Sequence, residues 1–452
     1  MASFSDKPAP WREIRIQKSI ENAPARGGSV LIDTCKGLLI FGGSDREQNS
    51  FQDLMLFPVL ELGSKIVANS WQVIETDGDV PMPRSGHAVV TYGNYLFLFG
   101  GQQALENETY SDLYVLDLNT WVWKYVGEKG DEPEERNSHS LAIIRRILNG
   151  KQQGEEGEKA STSIIEYHDY LVLYGGAHDE KGVYDSTYYA LLPTPEDENQ
   201  IHNDTFYITW QTLTKHVPHP IAREMHGSAL LSTPTCAYKS LFISGGRGLD
   251  TVYGDVWELT ATTHYSNPDA EPLMWVQRND MEMNPPRCSH DSTIVEKNGE
   301  YTLCVVGGFS GDALADNLAY CSASLWTDAN TENTTTVITT ADSVIDQHHK
   351  ETLTSTVSGS GEKEITESLI DAEVEDRWKE VRLASMRGGR FGLSVCSAPE
   401  WLLIAAKLKP KQATSTEEGA KSGSNASAIV VYGGINMTDI YNDTVLIVPP
   451  MV

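Results

Sequence analysis

"NYLFLFGG", Asn94 to Gly101, is an apolar run that ends at two glycines, and the chain writes nearly the same phrase five more times. The other copies are "KGLLIFGG" (Lys36 to Gly43), "DYLVLYGG" (Asp169 to Gly176), "KSLFISGG" (Lys239 to Gly246), "YTLCVVGG" (Tyr301 to Gly308) and "SAIVVYGG" (Ser427 to Gly434). Each is short, rich in β-branched and aromatic residues, and bounded by the residue that best ends a strand. Each therefore reads as a buried strand entering a turn. Six such strands imply six copies of one unit.

The clearest copy runs from Pro83 to Tyr125. "PRSGHAVVTYG" gives a first strand and "NYLFLFGG" a second; after the polar loop "QQALENETYSD" come "LYVLDLNT", an alternating third strand, and "WVWKYV", a fourth with Trp121 and Trp123. A four-stranded antiparallel sheet cannot cover both of its own faces. Stacking such sheets around an axis solves that problem, and the result is a β-propeller. Fourth-strand tryptophans recur at Trp71, Trp210, Trp275 and Trp378, each after its own glycine pair.

A glycine doublet followed by a spaced aromatic pair resembles the signature of the kelch repeat family. The resemblance covers most of the chain outside its insertions and implies an all-β, six-bladed kelch β-propeller. The sixth copy ends after "YNDTVLIVPP" without a fourth strand, while "PWREIRI" at residues 10–16, with Trp11, precedes the first copy. The expectation is that 10–16 completes the last blade and closes the ring, which removes an open sheet edge. The expected blades are 24–76, 83–126, 135–214, 222–278, 286–383 and 389–450.

From one glycine pair to the next the steps are 58, 75, 70, 62 and 126 residues, against a kelch period of about 50. Copy three carries insertions between strands one and two and between strands three and four; copy six carries one at 407–427. Copy five holds a long insert at 322–376 with twelve acidic residues against Lys350 and Lys363, and few aromatics. That composition is expected to be disordered. In an up-and-down blade these turns emerge on one side of the disk, and insertions clustered on one face often mark a binding face.

The formal charge of −28 argues against nucleic acid or an anionic membrane as primary partner. The apolar runs are far shorter than the roughly 18 residues of a membrane span, and the N-terminal stretch has no apolar signal-peptide core. A cytoplasmic, monomeric propeller is expected. The six cysteines are dispersed without a CxxC pair, so neither a zinc site nor a disulfide framework is suggested.

At the links between blades each copy carries an arginine in register: Arg26, Arg84, Arg136, Arg223, Arg287 and Arg390. Propeller geometry would gather them at the mouth of the central channel, where guanidiniums could grip carboxylates or phosphates by bidentate bonds. The kelch resemblance implies the same, because in peptide-binding kelch proteins this position and the two-to-three loops often touch the ligand. Alternatively the six could tie neighbouring blades together through repeat acids, with Asp45, Glu47, Glu106, Glu108, Asp179, Glu180, Asp250 and Asp312 as candidates. Four copies extend the pattern to Arg-x-x-His, giving His87, His139, His226 and His290. These are read as histidines that satisfy a neighbouring blade, with no metal centre.

No glycine-rich phosphate loop, Gly-x-Ser-x-Gly elbow or His-Glu-x-x-His motif is present, nor the Glu-x-x-x-Asp-x-x-x-His iron motif of the kelch-like plant specifier proteins. The sequence reading is a non-enzymatic protein-interaction module without a cofactor, its partner a protein or peptide with an acidic or phosphorylated segment. Two alternatives stand beside it: a substrate-recognition or scaffold subunit of a cytoskeletal or ubiquitin-ligase assembly, and a sugar isomerase or lyase using the channel.

Overall fold

The computed structural model describes residues 12–17, 24–62, 65–68, 71–148, 166–194, 200–201, 203, 206–214, 218–233, 236–262, 271–297, 299–311, 313–323, 378–386, 389–399, 402, 428–439, 441 and 443–449. In repeat two, Ala88–Tyr92, Tyr95–Gln103, Glu108–Asp117 and Val122–Gly130 pair antiparallel in chain order. Residues 95–99 are all buried, and the packing shows why. Leu96 and Leu98 join a cluster with Phe41 and Leu54 of repeat one, whereas Tyr95, Phe97 and Phe99 join one with Leu141 and Leu171 of repeat three. A strand covered on both faces is apolar at every position rather than at alternate ones.

The same order recurs in Val30–Thr34, Gly37–Phe41, Leu54–Leu62 and Gln72–Ile74, and in Ser140–Ile147, Tyr167–Tyr174, Thr187–Leu192 and Tyr207–Thr212. It recurs again in Gly227–Thr233, Cys236–Ser244, Val256–Ala261 and Leu273–Gln277, and in Asp291–Lys297, Glu300–Val306, Asn317–Ala323 and Trp378–Arg382. In the remaining sheet Ser394–Ser397, Ile429–Tyr432 and Thr444–Val448 are joined by the N-terminal strand Arg12–Gln17. That strand runs antiparallel to Thr444–Val448, with Arg12 opposite Val448 and Arg15 opposite Val445. Trp11 lies outside the described residues, as do insert 407–427 and the acidic insert beyond Ala323. Repeat one holds a feature that the sequence did not suggest: Leu54–Leu62 runs past its sheet and pairs with Lys65–Ala68.

Apolar clusters form between consecutive repeats. Leu39 clusters with Leu98, Phe97 with Leu171, Val172 with Leu241, Phe242 with Leu303, and Leu318 with Ile429. A further cluster joins Tyr432 of the last repeat to Trp71 of the first, where the Trp71 Nε1–H also donates to Thr444 Oγ1 at 2.9 Å. The architecture is all-β and propeller-like. Among the described residues no helix is long and apolar enough to cross a membrane.

Candidate functional site

The glycine doublet and the arginine are two halves of one joint. Gly100 and Gly101 have φ of +61° and +97°, a left-handed backbone that glycine adopts without steric cost. A Cβ at Gly100 would sit 2.7 Å from the Arg136 carbonyl oxygen of the next repeat, and the Gly101 N–H donates to that same oxygen at 2.9 Å. The bond repeats from Gly43 to Arg84, Gly176 to Arg223, Gly246 to Arg287, Gly308 to Arg390 and Gly434 to Arg26.

The arginine side chain turns back into its own repeat. Arg84 donates from Nη1 to the Gly100 carbonyl at 2.8 Å and from Nη1 and Nη2 to the two Asp112 oxygens at 2.6 and 2.9 Å. Its Nε reaches the Met82 carbonyl, and its guanidinium lies 4.2 Å from the Tyr110 ring centroid. Arg26 with Asp53 and Phe51, Arg223 with Asp255 and Tyr253, and Arg390 with Asp443 and Tyr441 repeat the bidentate pair and the ring. Arg26, Arg84, Arg136 and Arg223 are 0% exposed, Arg287 1% and Arg390 3%. None of the six presents its guanidinium to solvent.

The acids that hold them are not the loop acids that the sequence suggested. Asp53, Asp255 and Asp443 immediately precede strand three at Leu54, Val256 and Thr444, and Asp112 lies within Glu108–Asp117 at the register shift before Leu113. Asp45, Glu47, Glu106, Glu108, Asp179, Glu180 and Asp250 are not among the arginines' partners, and Asp312 lies outside the described residues. Each of these guanidiniums is held on the carbonyl of the first glycine of its doublet, as Arg84 is on Gly100, and from there meets the aspartate beside strand three rather than the loop acids.

Repeats three and five break the pattern. Ser186 and Asn317 stand where the others have aspartate. Arg136 bonds Ser186 Oγ at 3.3 Å and Glu134 at 3.3 Å, while Arg287 bonds Asn317 Oδ1 at 2.9 Å and Glu380 at 2.9 Å. Burial pulls both pKa values below the ordinary arginine range. Burial also pulls on Arg223, but the Asp255 hydrogen bond and charge more than reverse it and leave its pKa raised.

Two residues beyond each arginine lies a second cyclic feature. Gly28, Gly86, Ser138, Met225, Ser289 and Gly392 all have φ between +54° and +65°. The N–H of Gly86 donates to Gly28, Ser138 to Gly86, Met225 to Ser138, Ser289 to Met225, Gly392 to Ser289, and Gly28 back to Gly392, at 2.7 to 3.1 Å. These six backbone bonds form a cycle that returns to its starting residue. The sequence showed its glycines but gave no sign of Ser138, Met225 and Ser289.

The four histidines start their first strands and pack on the preceding repeat. His87 lies edge-on to Phe41, and His139 to Phe99. His290 Nε2 accepts the Gly227 N–H at 3.1 Å, and His226 Nε2 meets Ser140 Oγ. Burial, with the nearby arginine charge, pushes His87, His226 and His290 down to about 3. Among the described residues no three His, Cys, Asp or Glu side chains gather as a metal donor set.

At the opposite end of the strands, Arg145 pairs with Asp169 through two 2.7 Å bonds, and Tyr92 of repeat two donates to Asp169 at 3.0 Å. The Tyr92 ring also contacts Tyr238 of repeat four at 6.2 Å, so side chains from non-adjacent repeats meet there. Beside them a cavity of about 600 Å³ opens between repeats three and four, lined by Arg146, His168, Tyr170, Tyr189, Tyr207 and Glu271. Nothing in the repeat pattern marked it.

This geometry defines a propeller-like repeat protein whose joints are built from a glycine doublet and a buried arginine. Residues 6–156 match the family described as "KLHDC2/KLHL20/DRC7 Kelch-repeats domain". Kelch domain-containing protein 3 of Rattus norvegicus is 28% identical over 116 residues, 26% of this chain and 28% of that protein. Acyl-CoA-binding domain-containing protein 5 of Arabidopsis thaliana is 35% identical over 145 residues, 31% of this chain but only 20% of that protein. The N-(sulfonatooxy)prop-2-enimidothioate sulfolyase of Thlaspi arvense is 35% identical over 74 residues, 16% of this chain and 21% of the enzyme. Over these segments the chain is similar to kelch-repeat proteins, and it spans less than a third of the length of each of these relatives.

Proposed function

We propose that the six repeats are blades of one closed kelch propeller that works in the cytoplasm as a non-enzymatic protein-interaction module. The backbone cycle from Gly28 through Gly392 and the pairing of Arg12–Gln17 with Thr444–Val448 support a six-bladed ring closed by the N-terminal strand. The observation that carries the functional reading is the same cycle: backbone bonds tie the repeats together two residues past each arginine, and the arginines are spent within their own repeats, leaving the surrounding loops to meet a partner. Large apolar side chains stand on those loops, with Leu105 56%, Met437 70% and Leu249 83% exposed. Tips of this kind supply contact area for a protein or peptide.

A second reading, catalysis on a small molecule, draws on the sulfolyase relative, whose match spans 74 residues. Pulldown from native lysate with mass spectrometry separates the two. The module predicts a reproducible partner that is lost when Leu105, Leu249 and Met437 are changed together to glutamate, with the melting temperature preserved. A partner retained by that triple variant removes the loop face from the account, and an ordered small molecule co-purifying in the cavity between repeats three and four favours the enzyme.

A further inference from the structure

Repeat five is the one place where the arginine joint lacks both of its usual fittings. The position that carries Phe51, Tyr110, Tyr184, Tyr253 and Tyr441 in the other repeats is Ala315, and the position of the bidentate aspartate is Asn317. The correspondence is structural: the carbonyls of these residues accept the main-chain N–H of the next repeat's arginine, from Arg84 on Phe51 through Arg390 on Ala315 to Arg26 on Tyr441.

The consequence falls on Arg287. Its Nη1 donates to Asn317 Oδ1 at 2.9 Å and, at a long 3.3 Å, to the Gly307 carbonyl. In Arg26, Arg84, Arg136 and Arg223 the Nε–H reaches the carbonyl two residues upstream, but the Arg287 Nε has no acceptor among the described residues although it is buried. Its one anionic partner among them is Glu380, which touches Nη2 alone and whose side chain is 44% exposed. Nε–H and Nη2–H form the side-on fork that a carboxylate or phosphate accepts with two oxygens. Glu380 fills half of it, and its half-exposed carboxylate marks the side from which a competing oxyanion reaches the buried guanidinium.

We propose that Arg287 is the anion-recognition centre of this face: an oxyanion of a partner segment takes the fork by displacing the Glu380 carboxylate. This rests on the interaction-module reading. The arginines with bidentate aspartates remain joints, and Arg136, which also lacks the aspartate, keeps its Nε–H on the Glu134 carbonyl and its ring at Tyr184, so only Arg287 among the six lacks both fittings. The lowered Arg287 pKa, caused first by burial, agrees with a cation short of compensating charge.

The test titrates the full chain with inorganic phosphate and, separately, acetate, following the arginine ¹⁵Nε–¹H signals. One signal, that of Arg287, should move saturably. Glu380→Gln should tighten binding about fivefold by removing the competitor. Asn317→Asp, which installs the aspartate of the other repeats, should abolish the response without lowering the melting temperature. Equal anion binding by wild type and Asn317→Asp, or no movement of an Nε signal in Glu380→Gln, overturns the assignment. Phosphate binding without acetate binding points to a phosphorylated segment, and binding of both admits a carboxylate; either supports the site. A lysate partner recovered equally by wild type and Asn317→Asp, with the loop-tip variant losing it, leaves the module standing and removes Arg287 from it.

Discussion

The Gly28 N–H donates to the Gly392 carbonyl at 2.9 Å, which joins residues of the first and last repeats in the same bond that links every other pair of neighbours. Both residues have left-handed φ, +65° and +59°. The arrangement needs that conformation at six equivalent positions, and the chain supplies three glycines and three residues that bear its steric cost.

The cycle gives graded expectations for glycine substitutions. Gly86→Ser should cost about 1–2 kcal/mol, the penalty of left-handed backbone, because a Cβ there meets nothing closer than 3.4 Å and repeat three already holds Ser138 at this position. Gly100→Ala should cost distinctly more, since its Cβ would lie 2.7 Å from the Arg136 carbonyl oxygen. Urea denaturation of the two variants compares them, and equal losses would show that the carbonyl contact relaxes freely.

The N-terminal strand should matter for stability as much as any fourth strand. Removing residues 1–18 deletes Arg12–Gln17 and exposes the edge of Thr444–Val448. The truncated chain should lose solubility or melt well below the full one. A truncated protein that melts like the intact chain would contradict closure by this strand.

Acid sensitivity should follow from the buried histidines. The folded pKa of His87, about 3, lies below the ordinary 6.5, so between these values the unfolded chain binds a proton that the folded chain does not. Stability from this residue is complete above about pH 6.5 and falls as pH drops, by about 1.4 kcal/mol per unit. His87→Leu, the residue type that repeat six carries as Leu393, should flatten that slope. Asp291, pushed up to about 7 by burial, acts in the opposite sense, so the variant is compared with wild type at each pH from 7 to 4. Parallel profiles would mean that His87 titrates normally in the fold.

The strands, glycine doublets and arginine register were legible in sequence because each repeats as a residue type at a fixed place. The arginines' acids were not, because loop acids abound and the ones that pair sit beside strand three, as Asp255 does before Val256. Met225 and Ser289 gave no sign of their backbone role, since left-handed φ outside glycine leaves no compositional mark. The cavity with Tyr170 and Glu271 joins residues of different repeats that no single motif contains.

Removing one aspartate should reveal how much a joint contributes. Asp112→Ala leaves the fully buried Arg84 without its bidentate partner, and breaking a buried pair from one side costs about 3–5 kcal/mol. Changing Asp250, an exposed loop acid, to alanine should leave the melting temperature unchanged. Similar small effects at both positions would deny the joint its energetic role.

Arg26, Arg84, Arg223 and Arg390, each held by a bidentate aspartate, are joints of the repeat. The most direct measurement is the melting temperature of the double variant Arg84→Glu, Arg223→Glu. Each change sets a buried glutamate against Asp112 or Asp255, so a collapse of the folded state or a large fall in melting temperature is predicted. A double variant that melts like wild type while losing its partner would contradict the account and make these arginines the recognition surface.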